Sequence, residues 1–218
     1  LRKRLFIEKY VHVTTPEVYG STDGGWTKEN INFMPSTPYA ISRAACDMQL
    51  LSFYKAYDFP VVFTRAANVY GAGQQLYRII PKTILSARSG KRLELHGNGT
   101  SIRSFIHIQD VVKATLKLAL EANPGTTWHL STNESISIRD LVSKICNITG
   151  VEFNTIVNST DERLGKDQSY LLDSSAMRST FNWKEEISLK EGLNETIQWI
   201  DANINILNKY PWNYIHKS

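Results

Sequence analysis

The sequence predicts an α/β fold built on a parallel sheet. Two observations predict it: short apolar runs alternate with stretches of helical spacing along most of the 218 residues, and polar or glycine-bearing loops separate them. After a charged opening to Glu8, Tyr10-Val11-His12-Val13-Thr14 reads as a buried strand, and Pro16-Glu17-Val18-Tyr19-Gly20 leaves its end. A polar loop runs to Pro35. Ser36 and Thr37 are N-cap candidates with Pro38 in the first turn, and Ala44, Met48, Leu51 and Tyr54 keep helical spacing to about Tyr57. Val61 to Thr64 is a second strand with Asn68-Val69-Tyr70-Gly71 as its exit loop. A helix spans Ile79 to Ala87, ended by Ser89-Gly90. Further strands are expected at 93–95, 104–108, 127–130, 153–157 and 170–172. Further helices are expected at 109–121, at 138–149 and from Ser188 to about Ile206.

Composition narrows the function classes. Hydrophobic residues make up 42% of the chain, enough for one core or a core with a small lobe. A net charge of +4 suits a phosphate-bearing small ligand and is too weak to argue for nucleic acid. No run approaches a transmembrane length, so no membrane partner is expected. The two cysteines, Cys46 and Cys146, fall in helical segments and read as buried free thiols, which fits a reducing, cytoplasmic setting. Five Asn-x-Ser/Thr sequons, at Asn98, Asn133, Asn147, Asn158 and Asn194, read as chance in an Asn-rich sequence. The five histidines lack metal-ligand spacing, so no metal site is expected. The five tryptophans are expected to pack the substrate lobe. No Gly-x-Gly-x-x-Gly fingerprint occurs, so the chain is expected to be the second half of a dinucleotide-binding fold, its glycine-rich first half absent.

Two groups of residues carry chemistry. In Thr14-Thr15-Pro16-Glu17-Val18-Tyr19-Gly20 a strand ends in a hydroxyl and a carboxylate, at the sheet edge where open α/β folds bind ligands. A carboxylate there can act as a general base. In Tyr39-Ala40-Ile41-Ser42-Arg43 a phenol and a cation lie four apart on one helix face, where the cation stabilises phenolate.

Two more motifs follow in order: Thr64-Arg65-Ala66-Ala67-Asn68-Val69-Tyr70-Gly71, then Gly97 through Arg103-Ser104-Phe105-Ile106-His107 to Val111. The ordered set resembles the extended short-chain dehydrogenase/reductase family, most closely its dTDP-glucose 4,6-dehydratase-like branch, from about Tyr10 to Trp199.

The resemblance implies a Rossmann-like parallel sheet with a small α+β C-terminal substrate lobe. Residues 1–73 and 102–130 would form the NAD-binding part, 74–101 and 131–210 the lobe, and 211–218 a tail. It implies NAD as cofactor, a nucleotide-diphosphate sugar as substrate and a homodimer. Tyr39 matches the residue that deprotonates the sugar C4 hydroxyl, Thr15 its hydroxyl partner and Glu17 the base at C5. Tyr39, Arg43 and Ala66 fall on the cofactor side. Asn68, Arg78, Arg103, Asn133 and Arg163 fall on the nucleotide-sugar side. Asp110, near a helix start, looks structural.

Two positions depart from the family. Arg43 stands where relatives carry Lys, a bulkier planar cation in place of a point charge. Pro16 stands where the branch has an Asp that protonates the leaving C6 hydroxyl, which would leave Glu17 to serve as base and then as acid. The expected reaction is 4,6-dehydration of a nucleotide sugar. A 4-epimerase, a decarboxylase and a non-catalytic binding relative are the alternatives.

Overall fold

The computed structural model describes residues 7–22, 24–161 and 169–214. In chain order the elements are β1 (Tyr10–Thr14), a 3-10 turn (Pro16–Tyr19), β2 (Trp26–Thr27), α1 (Pro38–Tyr57), β3 (Val61–Ala66), β4 (Asn68–Tyr70), α2 (Ile79–Ser89), β5 (Leu93–His96), a second 3-10 turn (Gly97–Gly99), β6 (Ile102–Arg103) and β7 (Phe105–His107). They continue with α3 (Ile108–Glu121), β8 (Thr127–Leu130), β9 (Ile136–Ser137), α4 (Ile138–Thr149), α5 (Phe153–Ile156), β10 (Val157–Thr160), β11 (Leu171–Leu172), α6 (Ser175–Phe181) and α7 (Leu189–Leu207).

The chain divides into two compact units. The first comprises Leu1–Val69, Ile102–Ser135 and Gly165–Glu186, the second Tyr70–Ser101, Ile136–Leu164 and Ile187–Ser218. Residues 169–186, which the sequence reading gives to the lobe, group with the first unit. The reason is burial: Met177 and Trp183 join Val62, Ile106, Ala114, Leu118 and Leu130 in one apolar cluster.

The first unit is built on a parallel sheet in the order β1-β3-β8. Side chains alternate across a strand, and β3 shows it. Val61 and Phe63 cluster with Phe59 and with Leu50, Leu51 and Tyr54 of α1, while Val62 joins the cluster of α3. The two helices therefore cover opposite faces. Register then fixes the α1 face of the sheet: Thr14 lies beside Arg65, and Arg65 beside His129.

The second unit pairs β5 with β10 in parallel. Leu93, Leu95, Val142, Cys146, Ile156 and Val157 form its dry core. Gly150, in the left-handed region at φ 73°, ends α4. A capping box between Ser188 and Glu191 starts α7. Trp212 lies under Lys91 at 4.5 Å, and Tyr214 edges against Tyr77 at 5.3 Å while staying exposed.

Several expectations are corrected. Residues 153–156 are a helical turn, and the strand starts at Val157, because an Asn-Thr pair favours a turn over a ladder. Asn68–Tyr70 is a short strand where an exit loop is expected. Val13, in the strand expected to be buried, is 59% exposed. Met48 and Cys46 are also exposed, on the outward face of α1, while Cys146 is buried. Trp26, Trp128 and Trp183 belong to the first unit, leaving Trp199 and Trp212 in the second.

Candidate functional site

The site begins where β1 ends. Thr15 has extended backbone and caps the following 3-10 turn, its hydroxyl oxygen accepting the Glu17 N–H at 3.4 Å. Pro16 takes the first position of the turn, where its missing N–H costs no bond. Gly20 closes the turn, with its N–H donating to Glu17 O at 3.1 Å. Its φ of 73° is one reason for glycine there. The other is that a Cβ would lie 2.3 Å from the Met34 carbonyl oxygen. Glu17 is held half-buried at the carboxyl edge of the sheet, with Thr15 buried beneath it.

Thr37, not Ser36, is the N-cap of α1, accepting the Ala40 N–H at 3.2 Å. Pro38 follows at the first helical position, and Tyr39 comes next with its side chain 55% exposed. One turn on, Arg43 donates to the Val13 carbonyl oxygen of β1 at 2.5 Å. Ala44 packs on Val18 and Tyr19 of the 3-10 turn, in a cluster with Leu172. The helix bearing Tyr39 and the turn bearing Glu17 are thus joined by backbone capture and by apolar contact.

A second grouping forms around Tyr170. Its hydroxyl donates to Asn68 Oδ1 at 3.1 Å, and its ring lies under the Arg103 guanidinium at 4.1 Å. Asn68 Nδ2 donates to the Ser104 carbonyl oxygen at 3.1 Å. Ser104 Oγ in turn donates to the Glu134 carbonyl oxygen at 2.8 Å, which ties down the loop carrying the exposed Asn133. Buried Arg103, Asn68 and Asn133 are therefore brought into one neighbourhood. Ala66 is the last residue of β3, half-buried at the same sheet edge. Arg78 belongs to the second unit, exposed and stacked on Tyr77 at 5.4 Å. Arg163 lies outside the described residues.

Sequence reading missed the buried polar groups behind this edge. Arg65, 1% exposed, pairs with Asp47 at 2.7 Å and donates to the Tyr19 hydroxyl at 2.9 Å. Tyr19 meets His129 Nε2 at 2.9 Å, and His12 lies 3.1 Å from Asp47. Burial raises the Tyr19 phenol, and Arg65 opposes it only in part. Burial, and then the Arg65 charge, push His129 down to about 3, so it is neutral. Burial raises the Glu29 carboxyl, which accepts the His129 backbone N–H at 2.9 Å. Burial works to raise Asp47 as well, but His12, Arg65 and Thr14 outweigh it and hold the carboxyl below its usual range. Two signals were available: an Arg within the otherwise buried strand Val61–Ala66, and an Asp one further turn along the Tyr39–Arg43 face. Asp110 accepts the Glu186 N–H at 3.1 Å, the structural role expected of it. No cluster of His, Cys, Asp and Glu able to hold a metal occurs among the described residues.

The chemistry of the donors can be tested against a dinucleotide. The bond to Val13 uses one terminal nitrogen of Arg43, and its Nε is without a partner among the described residues. A guanidinium with unused N–H groups beside an exposed phenol suits the hydroxyl oxygens of a ribose.

Comparison with known proteins agrees with this architecture. A family model described as GDP-mannose 4,6 dehydratase matches residues 3–196. A trifunctional UDP-glucose 4,6-dehydratase/3,5-epimerase/reductase of Arabidopsis thaliana is 32% identical over 200 residues, 90% of this chain and 30% of that protein. The dTDP-D-glucose 4,6-dehydratase of Bos taurus is 31% identical over 204 residues, 91% of this chain and 57% of the relative. The crystal structure of a dTDP-glucose 4,6-dehydratase from Bacillus anthracis in complex with NAD superposes with a TM-score of 0.86 at 31% identity, covering 90% of this chain and 63% of that one. The chain spans less than two thirds of the length of these relatives.

Proposed function

The chain belongs to the GDP-mannose 4,6 dehydratase family, and from that premise we propose that it is part of an NAD-dependent nucleotide-sugar 4,6-dehydratase, a lyase. One observation carries the reading. A capped 3-10 turn presents Thr15 and Glu17 at the carboxyl edge of a parallel sheet, and the helix bearing Tyr39 and Arg43 is fastened to that turn.

In this reading Tyr39 takes the proton of the sugar C4 hydroxyl. The Thr15 oxygen already accepts the Glu17 N–H, so its own proton is left to donate to that sugar oxygen. Bound NAD would supply hydride acceptance at C4 and hydride donation at C6, chemistry no side chain offers. Arg43, with Ala66 at the strand end, holds the ribose side of the cofactor. Glu17 removes the C5 proton. Pro16 has none to give, so Glu17 passes the same proton to the C6 hydroxyl as it leaves as water; recharged from solvent, it then returns a proton to C5 as C6 is reduced. Arg103, with a planar fork suited to phosphate, holds the diphosphate, and Asn68, Asn133, Arg78 and Arg163 complete the substrate contacts. Exposed Ile41, Met48 and Phe53 on the outward face of α1 favour a homodimer through that helix. The free Cys46 and Cys146 favour a reducing, cytoplasmic setting.

The test is conversion by the full-length protein. With NAD and a nucleotide-glucose substrate, a 4-keto-6-deoxy product accumulates and absorbs at alkaline pH. Glu17→Gln lowers its formation by about 10²- to 10⁴-fold and stops uptake of solvent deuterium at C5. A wild-type protein that only inverts C4, or a Glu17→Gln variant that keeps full C5 exchange, overturns the reading.

A further inference from the structure

We infer that Arg65 and Tyr19 are positioning residues that set Glu17 and Tyr39 in register through one buried guanidinium. The inference rests on the catalytic roles proposed above.

The placement follows from sheet register. Arg65 on β3 lies beside Thr14 of β1 on one side and His129 of β8 on the other. All three face α1, and Asp47 of that helix meets Thr14 and Arg65. One end of the guanidinium donates to Asp47 Oδ2 at 2.7 Å, where Thr14 Oγ1 also donates at 3.0 Å. The other end donates to the Tyr19 hydroxyl oxygen at 2.9 Å. Its carbon lies 4.9 Å from the Tyr19 ring centroid and 5.2 Å from that of Phe33.

The hydrogen bonds beyond Tyr19 run in one direction only. The Asp173 carbonyl oxygen, 3.1 Å from His129 Nδ1, can only accept, so Nδ1 carries the proton. A neutral ring then leaves Nε2 as an acceptor, and the Tyr19 O–H donates to it at 2.9 Å. The Tyr19 oxygen keeps its lone pairs for Arg65 and for the Asn30 N–H, which donates to it at 3.5 Å. Arg65, Tyr19, His129 and Asp173 form a chain in which each donor has one acceptor, which locks Tyr19 in rotation as well as position.

Both ends of the guanidinium lead to proposed catalytic groups. Tyr19 ends the four-residue turn that carries Glu17. Asp47 lies two turns beyond Tyr39 on α1, about 12 Å along the axis. Apolar contact between Ala44 and Val18 lets a helix slide, whereas a guanidinium hydrogen-bonded at each end to a different element does not. A buried ion pair contributes geometry more dependably than net stability, and the geometry here is the separation of a base from a phenol.

The experiment uses the full-length protein with NAD and the nucleotide sugar it converts. Tyr19→Phe keeps the ring and deletes the hydroxyl. Arg65→Lys keeps the charge and loses the fork. For each, kcat and KM, C5 deuterium uptake, thermal stability, amide exchange at Gly20 and the ¹⁵N shifts of His129 are measured. The expected result for Tyr19→Phe is a kcat lowered about tenfold or more, with KM within about twofold. C5 uptake falls in step with kcat, Gly20 amide protection is reduced, and the His129 shifts change. Arg65→Lys goes further in the same direction. A Tyr19→Phe protein with wild-type kcat and wild-type Gly20 protection overturns the inference. So does a loss of activity in proportion to the loss of folded protein. If the wild-type protein makes no product, the functional reading has failed by itself. The exchange and ¹⁵N measurements then decide whether the guanidinium fixes the Glu17 turn, and an unchanged Gly20 amide would count against it.

Discussion

The two units differ in what they bury beside their apolar clusters. The first buries Asp47, Arg65, His12, Tyr19 and His129 against one face of its sheet. The second is closed by Leu93, Leu95, Val142, Cys146, Ile156 and Val157, and its bidentate ion pair between Arg88 and Asp201, at 2.7 and 2.8 Å, lies near the surface. An apolar interior tolerates repacking, because many arrangements bury similar area. A buried polar interior tolerates one arrangement, because each unmet donor or acceptor costs a desolvation penalty. The unit with the candidate catalytic edge is the one built to the stricter rule.

The largest effect expected from this contrast is at Asp47. Asp47→Ala leaves Arg65 charged and buried without its carboxylate, and destabilises the protein by about 3–5 kcal/mol. Urea unfolding at pH 7 measures it. A loss below about 1 kcal/mol, the size of a surface pair, would erase the distinction between the units.

The next is a pH dependence from His129. Its folded pKa of about 3 lies below the ordinary 6.5, so between these values the unfolded chain binds a proton that the folded protein does not. Stability therefore falls as pH drops below 6.5, by roughly 1.4 kcal/mol per unit, or about 2 kcal/mol by pH 5. Asp47, whose carboxyl is depressed, adds its loss only below its unfolded value near 3.8. Denaturant unfolding at pH 7, 6 and 5 gives the slope, and His129→Gln flattens it. An equal slope in both proteins would show that His129 is not the group responsible.

The smallest effect is in the second unit. Arg88 and Asp201 are each about a third or more exposed, so Arg88→Ala changes stability by at most about 1 kcal/mol, and by less in high salt. A larger, salt-insensitive loss would mean that this pair belongs with the buried polar groups of the other unit.

The site was legible in sequence to different depths. Thr15, Pro16, Glu17 and Gly20 form one local turn whose cap, first residue and closing glycine lie between residues 15 and 20. Tyr39 and Arg43 share a helix face by spacing alone. Arg103 and Asn68 were found by motif order, but Tyr170, which joins them from 102 residues beyond Asn68, carried no local sign. Tyr19 was visible only as part of the Glu17 turn. His129 stood out only as one of five histidines without metal-ligand spacing, and its partner Tyr19 is 110 residues away.

The sequence by itself determined what acts over a few residues. It set the alternation of strands and helices, the caps at Thr37 and Ser188, the turn that lifts Glu17, and the absence of any helix long and apolar enough to cross a membrane among the described residues. These depend on backbone sterics and on hydrogen bonds closed within one turn of chain. Only the tertiary structure decided that 169–186 packs with the first unit, that Val13 and Met48 face outward, and that Arg65 meets Asp47 and Tyr19 and pairs beside His129. Those outcomes depend on strand register, which brings distant residues side by side and carries no mark within any short stretch of sequence.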